Sequence, residues 1–226
     1  MLKMLRKIPL LSQLSAGDLK EVHKISRIAE YGPGERIFSK AEAANQMFIV
    51  LSGRVKIFTL SASRKRKTFA YLQPGGFFGE MALLKGKTRS ASAEAASCSR
   101  LLVIRKTDFR RLLASDPDLS YYLLQTVCER LRRANEEMES LLFQNILGRV
   151  AKTFCDLSKR GQKLDQGLIL NEPYTQQELA DIVGTTREPL TRALATLRRA
   201  QLIDTRDGRY WIKKPEKLEA LCLIQA

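Results

Sequence analysis

The chain has 226 residues, 44% of them apolar, with a formal net charge of +15. That apolar fraction supports real hydrophobic cores and excludes wholesale disorder, and no apolar run nears the ~18 residues of a membrane span. The charge points to a polyanionic partner, but residues 1–118 hold 22 Lys and Arg against 10 Asp and Glu, whereas residues 119–226 hold 17 against 14. The basic surplus sits mainly in the first half, so motifs must locate the partner.

In chain order, Met1–Leu11 mixes Lys3, Arg6 and Lys7 with leucines and is not a signal peptide; a cytoplasmic protein without membrane contact is expected. Ser15 and Asp18 open a helix to Arg27. From Ile28 to Ile104, short apolar runs alternate with Gly, Pro and Ser. Strands are predicted near Arg36–Phe38, Met47–Leu51, Arg54–Leu60, Thr68–Leu72, Arg89–Glu94 and Arg100–Ile104, with turns at Gly53 and Pro74-Gly75-Gly76. Such spacing suggests a small barrel or roll. Arg64-Lys65-Arg66-Lys67 reads as a solvated hairpin loop, or as a contact for nucleic acid or an acidic protein surface.

Asp116-Pro117-Asp118 opens a long helix to about Phe143. Within it Leu124, Val127, Leu131, Ala134, Met138 and Leu141 recur at steps of three and four, which reads as the seam of a parallel dimer, the alternative being a helix packed within its own domain. Asn145 caps a further helix to Arg160, and a Gly-rich charged loop covers Lys159–Gly167. Helices are expected at Gln176–Val183 and Arg187–Ala200. A hairpin over Leu202–Thr205 and Arg209–Ile212 then turns on Asp207-Gly208. Helix, turn, helix and hairpin is the order of a winged helix-turn-helix. The fold class is therefore α+β, divided as residues 1–116, 117–144 and 145–226.

Two constellations carry chemistry. In Gly75–Ala93, glycines permit tight backbone and the turn Met81-Ala82-Leu83-Leu84 offers free amides to an anion. Arg89 can meet a phosphate with paired charge-assisted bonds, and Ser90 adds a hydroxyl. Glu80 suits a ribose hydroxyl; the alternative is a structural Glu80–Arg89 ion pair. In Tyr174–Ile203, Thr175 and Glu178 form a capping box, Gly184 makes the sharp turn, and Thr185 or Thr186 caps the second helix. Leu179, Ile182, Val183, Leu190, Leu194 and Leu197 face inward. Thr186, Arg187, Glu188, Thr191 and Arg192 are left at the exposed helix start that meets base edges. Arg187 and Arg192 suit guanine, and Glu188 can accept from cytosine N4.

The four cysteines form no CxxC pair and read as reduced, mostly buried thiols. With His23 as the sole histidine, no P-loop, no HExxH and no nucleophile elbow, an enzyme is not expected.

Gly-Glu-x-Ala-Leu followed by Arg-Ser-Ala resembles the phosphate-binding cassette of cyclic-nucleotide-binding domains. Together with the long helix, LGRVAKTFCDL (Leu147–Leu157) and the Thr-Arg-Glu core (Thr186–Glu188), the whole chain resembles the cyclic AMP receptor protein / fumarate–nitrate reduction regulator family. The resemblance implies a jelly-roll-like effector domain, a dimerisation helix and a winged DNA-binding domain. It implies a homodimeric regulator, an activator working with RNA polymerase, on a TGTGA-like inverted repeat. It also implies cAMP held by Glu80 at the ribose, Arg89 and Ser90 at the phosphate and the amides of Gly79, Glu80, Met81 and Ala82, with Thr175 joining the DNA contacts. Ala134 and Asn135 stand where relatives present polar groups to the adenine, so only Asn135 remains as a polar contact. Ala41 stands near a usual glycine. No cysteine cluster for iron–sulfur and no haem ligands better than His23 and Cys98 are present. The alternatives are another ligand, activity without one, or a nucleotide-binding subunit whose winged helix binds protein.

Overall fold

A computed structural model describes residues 5–12, 14–84, 88–159, 161–164 and 166–222. It divides into two compact units, Met1–Arg130 and Leu131–Ala226. Met1–Met4, the cassette's Lys85-Gly86-Lys87 and the expected helix end Arg160 lie outside the described residues.

In the first unit, helix α1 (Ala16–Ile25) is capped by Ser15, whose Oγ accepts from the Asp18 amide at 3.1 Å. Strands β1 (Arg27–Tyr31), β2 (Arg36–Phe38), β3 (Gln46–Ser52), β4 (Val55–Leu60), β5 (Arg66–Leu72), β6 (Phe77–Phe78), β7 (Ser92–Ala95) and β8 (Ser99–Arg105) form two antiparallel sheets. Their orders are β1-β8-β3-β6 and β2-β7-β4-β5, which is the expected roll. The first sheet is covered on both faces. Met47, Ile49, Leu102 and Ile104 pack on a helical layer with Leu19, Val22, Phe109, Leu112 and Leu119. Phe48, Val50, Leu101 and Val103 point into the roll beside Phe38 and Phe78. Two-sided burial explains why β3 and β8 read as unbroken apolar runs rather than as alternation.

Four elements here go beyond the expectation: a 3-10 turn at Pro9–Leu11, β1, the two-residue β6, and helix α3 (Lys106–Ser115) after the helical turn α2 (Met81–Leu84). The strand expected from Arg89 begins only at Ser92. The basic tetrad is a loop only in part. Arg66 and Lys67 belong to β5, and the half-buried Arg66 lies over the Phe58 ring at 4.4 Å with Glu94 at 3.6 Å.

Helix α4 (Pro117–Phe143) has the expected bounds. The second unit contains its latter half and α5 (Ile146–Ser158), capped by Asn145 accepting from the Gly148 amide at 2.9 Å. It continues with β9 (Gln162–Lys163), β10 (Leu168–Ile169), α6 (Gln176–Val183), α7 (Arg187–Arg199), β11 (Ile203–Arg206), β12 (Arg209–Ile212) and α8 (Pro215–Leu221). The sheet order is β11-β12-β10-β9. Asp207 and Gly208, at φ 51° and 73°, make the hairpin turn. Its core joins Val150, Phe154, Leu179, Leu190, Leu194, Leu197, Ile203 and Leu218. Trp211 on β12 donates Nε1–H to the Gln166 carbonyl at 2.8 Å. The expected loop Lys159–Gly167 contains β9, and α8 is a further element the sequence reading did not separate.

No helix among the described residues is long and apolar enough to cross a membrane. The expectation of mostly buried, separate thiols is corrected. Cys98 and Cys128 are exposed, and Cys155 and Cys222 are half-buried with their sulfurs 3.8 Å apart. Sequence distance hid that contact, since α5 and α8 pack together only in the fold.

Candidate functional site

The cassette begins where β6 ends. Gly79 has φ 84°, and a Cβ there would fall 2.6 Å from Arg89 Nη1; a side chain is excluded by conformation and by space. Glu80 follows, 1% exposed, and α2 starts at the exposed Met81 with Ala82 buried behind it. Ser90 is exposed, its Oγ 3.8 Å from Met81 Sδ.

Arg89 is 5% exposed and turned inward. Nη1 donates to the Gly79 carbonyl at 2.9 Å and Nη2 to the Gln46 carbonyl at 2.7 Å, and the guanidinium lies over Phe38 at 4.1 Å. Burial lowers its pKa, against the pull of Glu42 and Glu80. The Arg89 backbone is held as well: Ala41 N–H donates to its carbonyl at 2.9 Å, and its N–H donates to the Glu42 carbonyl at 2.8 Å. Ala41 itself sits at φ 68°, so the departure from glycine falls on a left-handed residue.

The alternative of a Glu80–Arg89 ion pair is corrected. Glu80 Oε1 accepts from Arg130 Nη1 at 2.7 Å, while Arg130 Nη2 reaches the Phe77 carbonyl at 2.6 Å. Arg130, from α4, was not among the sequence-predicted site residues. An arginine on a helix 50 residues downstream gives no local signal. Burial pushes the Glu80 carboxyl up, with Arg130 the largest opposing influence. Among the described residues, Glu80 Oε2 and Arg89 Nε are buried without a hydrogen-bond partner. One lacks a donor and the other an acceptor, which is what a ligand with a hydroxyl and an anionic oxygen supplies. Ala134 and Asn135 are exposed on α4 in the second unit.

Along α4, Leu124 (59%), Leu131 (61%), Met138 (59%) and Leu141 are exposed, with Ala134 also exposed and Val127 half-buried. The predicted seam is an uncovered apolar stripe.

In the second unit, Thr175 accepts from the Glu178 amide at 3.1 Å while the Glu178 carboxylate accepts from the Thr175 amide at 2.9 Å, which completes the capping box of α6. Gly184 ends α6 at φ 74°. Arg149 of α5 donates to the carbonyls of Val183 and Gly184 at 2.6 and 2.9 Å. It caps the C-terminus of α6 with a cation and braces the turn from behind, a role the sequence reading missed. Thr186 stands at the N-cap of α7 without making a side-chain cap bond, so that expectation fails in detail. Thr186, Arg187, Glu188, Thr191 and Arg192 are exposed, as expected. Thr191 Oγ1 bridges the Arg187 carbonyl and Gln176 Oε1 at 2.8 and 3.1 Å. Glu188 pairs with Arg192 at 2.7 Å, one turn on.

Residues 28–116 match the cyclic nucleotide-binding domain family and residues 148–221 the Crp-like helix-turn-helix domain family. The chain is 30% identical over 167 residues to the CRP-like cAMP-activated global transcriptional regulator of Mycobacterium tuberculosis, covering 74% of this chain and 75% of that one. The chain belongs to the CRP/FNR family of transcription regulators. It is 31% identical over 191 residues to the cyclic AMP receptor protein of Thermus thermophilus, covering 84% and 86% of the two chains. Its fold superposes with a TM-score of 0.78, at 25% identity, on the c-di-GMP responsive global regulator CLP of Xanthomonas campestris, covering 88% of this chain and all of that one.

Members of the CRP/FNR family are regulators, not enzymes, and this chain is a DNA-binding regulator with a cyclic nucleotide-binding domain. Among the described residues no three His, Cys, Asp or Glu side chains gather to hold a metal.

Proposed function

We propose that the protein is a cytoplasmic homodimeric activator controlled by cAMP, acting with RNA polymerase on an inverted repeat of TGTGA-like half-sites. The observation that carries the ligand reading is the pair of unsatisfied polar atoms, the acceptor Glu80 Oε2 and the donor Arg89 Nε, buried in one cassette. A ribose hydroxyl answers the first. A cyclic phosphate answers the second, helped by the amides of Gly79–Ala82 and by Ser90. Asn135 and the seam from Leu124 to Leu141 bring a second copy of α4 to the base, and residues 117–144 serve as dimerisation helix and hinge. Arg130 is the added member of the site, because whatever reaches Glu80 meets an arginine carried on that helix. A ligand shifts the DNA-binding state only by its differential affinity for the two states. The exposed start of α7 supports base contact by Arg187, Glu188 and Arg192, with Thr175, Thr186 and Thr191 at its flank.

Fluorescence anisotropy with a TGTGA inverted-repeat duplex tests this, with cAMP, cGMP, c-di-GMP or no ligand. Tightening by cAMP alone is expected. Arg89→Ala removes the effect of cAMP while leaving basal binding. Arg187→Ala costs about 1–3 kcal/mol at one base pair. Equal binding with and without every nucleotide ends the sensor reading, and equal loss on all duplexes makes Arg187 a phosphate contact.

A further inference from the structure

Cys155 and Cys222 lie 67 positions apart in the sequence, yet their sulfurs are 3.8 Å apart. Cys155 is in the last turn of α5, its carbonyl accepting from Ser158 Oγ. Cys222 is the residue at the C-cap of α8, with its carbonyl accepting from Gln144 Nε2 at 2.6 Å. Both are half-buried. A cavity of ≈ 200 Å³, lined by Glu136, Ser140, Phe143, Lys152 and Cys222, opens beside the pair. A disulfide needs an S–S separation of about 2.05 Å. The sulfurs are thus within about 2 Å of bonding, and one of them stands at a helix end.

We propose that Cys155 and Cys222 form an oxidation site, at which a small hydroperoxide entering by that cavity joins α5 to the end of α8 through a reversible disulfide. The Cys222 thiolate attacks the peroxide: an S–O bond forms, the O–O bond breaks, and the alcohol or water leaves. The Cys155 sulfur then attacks the resulting sulfenic sulfur. The S–S bond forms, the S–O bond breaks, and water departs with the Cys155 proton. The two thiols give up two electrons and the peroxide takes them.

The charges around the pair set the order of the two steps. Burial pushes the Cys155 thiol up to about 12, with the Cys222 sulfur, Glu219 and Asp156 adding to it. Burial also raises Cys222, but its hydrogen bond with Cys155 and the nearby Lys152 pull it back down, against Asp156 and Glu219. Cys222 is therefore the attacking sulfur and Cys155 the resolving one. Because both thiols are raised, the reaction quickens as pH rises. In a reducing compartment such a link is transient rather than structural.

The test uses the full chain carrying Cys98→Ser and Cys128→Ser, which removes the two exposed thiols. Hydrogen peroxide at pH 7, 8 and 9 is followed by intact mass, peptide mapping and thermal melting. The expected result is a loss of two hydrogens, a linked Cys155–Cys222 peptide reversed by dithiothreitol, and a rate that climbs with pH. The melting temperature of the DNA-binding unit rises by about 10 °C or more, as expected for closing a long loop. Adding Cys155→Ser leaves Cys222 to overoxidise without linkage. Sulfinic or sulfonic acid at Cys222 with Cys155 present and no link overturns the proposal.

Discussion

Glu80 is a carboxylate held almost wholly out of water with one arginine for company. Its carboxyl is raised above its ordinary 4.5, mainly by burial. A raised folded-state value means that the folded chain binds this proton before the unfolded chain does. The stability Glu80 contributes is thus full below 4.5 and is lost as pH rises through the raised value. Glu80→Gln has no such proton to bind. The melting temperature of the wild type, relative to Glu80→Gln, should therefore climb as the buffer is taken from pH 7 down toward 4.5. A gap that stays constant over that range means Glu80 titrates as if in water. Ala41 shows a different tension at the same scale. A left-handed alanine is disfavoured by about 1 kcal/mol relative to glycine, yet its amide fixes the Arg89 carbonyl, so local strain and placement of the cassette arginine are linked.

At the scale of elements, α4 carries its predicted apolar seam into solvent. The helix leaves Leu124, Leu131, Met138 and Leu141 largely exposed, and contiguous apolar surface of this kind is normally covered, which is the ground for the proposed dimer. Leu131→Asp should leave both units folded by circular dichroism and shift the chain from dimer to monomer in sedimentation; an unchanged dimer would place the interface elsewhere. The periodicity that exposes this seam was readable because six apolar positions keep it for about two and a half heptads. The capping box at Thr175, the turn at Gly184 and the hairpin at Asp207-Gly208 were equally readable, since each is a local rule written in adjacent residues. What escaped the sequence was short or non-local. β6 has two residues, too few to show a period. In α3 the large apolar side chains are Phe109, Leu112 and Leu113 among charges, and no side chain caps its start. Arg130 on Glu80, Arg149 on the end of α6, and Cys155 against Cys222 are contacts of the fold, and no pattern within a window of residues encodes them. Even the motif at Arg89 specified a residue without specifying its direction, and the side chain points inward to two carbonyls.

For the whole molecule, the governing quantity is the charge of +15 and its uneven spread. Binding to any polyanion at low salt follows from charge alone and collapses as counterions compete. The base-specific contacts proposed for the start of α7 would be less sensitive. Raising salt from about 50 to 200 mM should therefore weaken binding to an unrelated duplex more steeply than binding to the inverted repeat, measured as a competition ratio. A ratio independent of salt would mean that the start of α7 adds nothing beyond the electrostatic background.

Trp211 is the only tryptophan in the chain, and it lies on β12 of the wing with its ring nitrogen tied to Gln166. The protein thus carries a built-in optical reporter confined to one of its two units. Emission excited at the red edge of indole absorption is blind to the six tyrosines and to everything that happens in the roll unless that event is relayed to the wing. A nucleotide that changes this signal without DNA present would make the relay between sensor and reader directly visible in a cuvette.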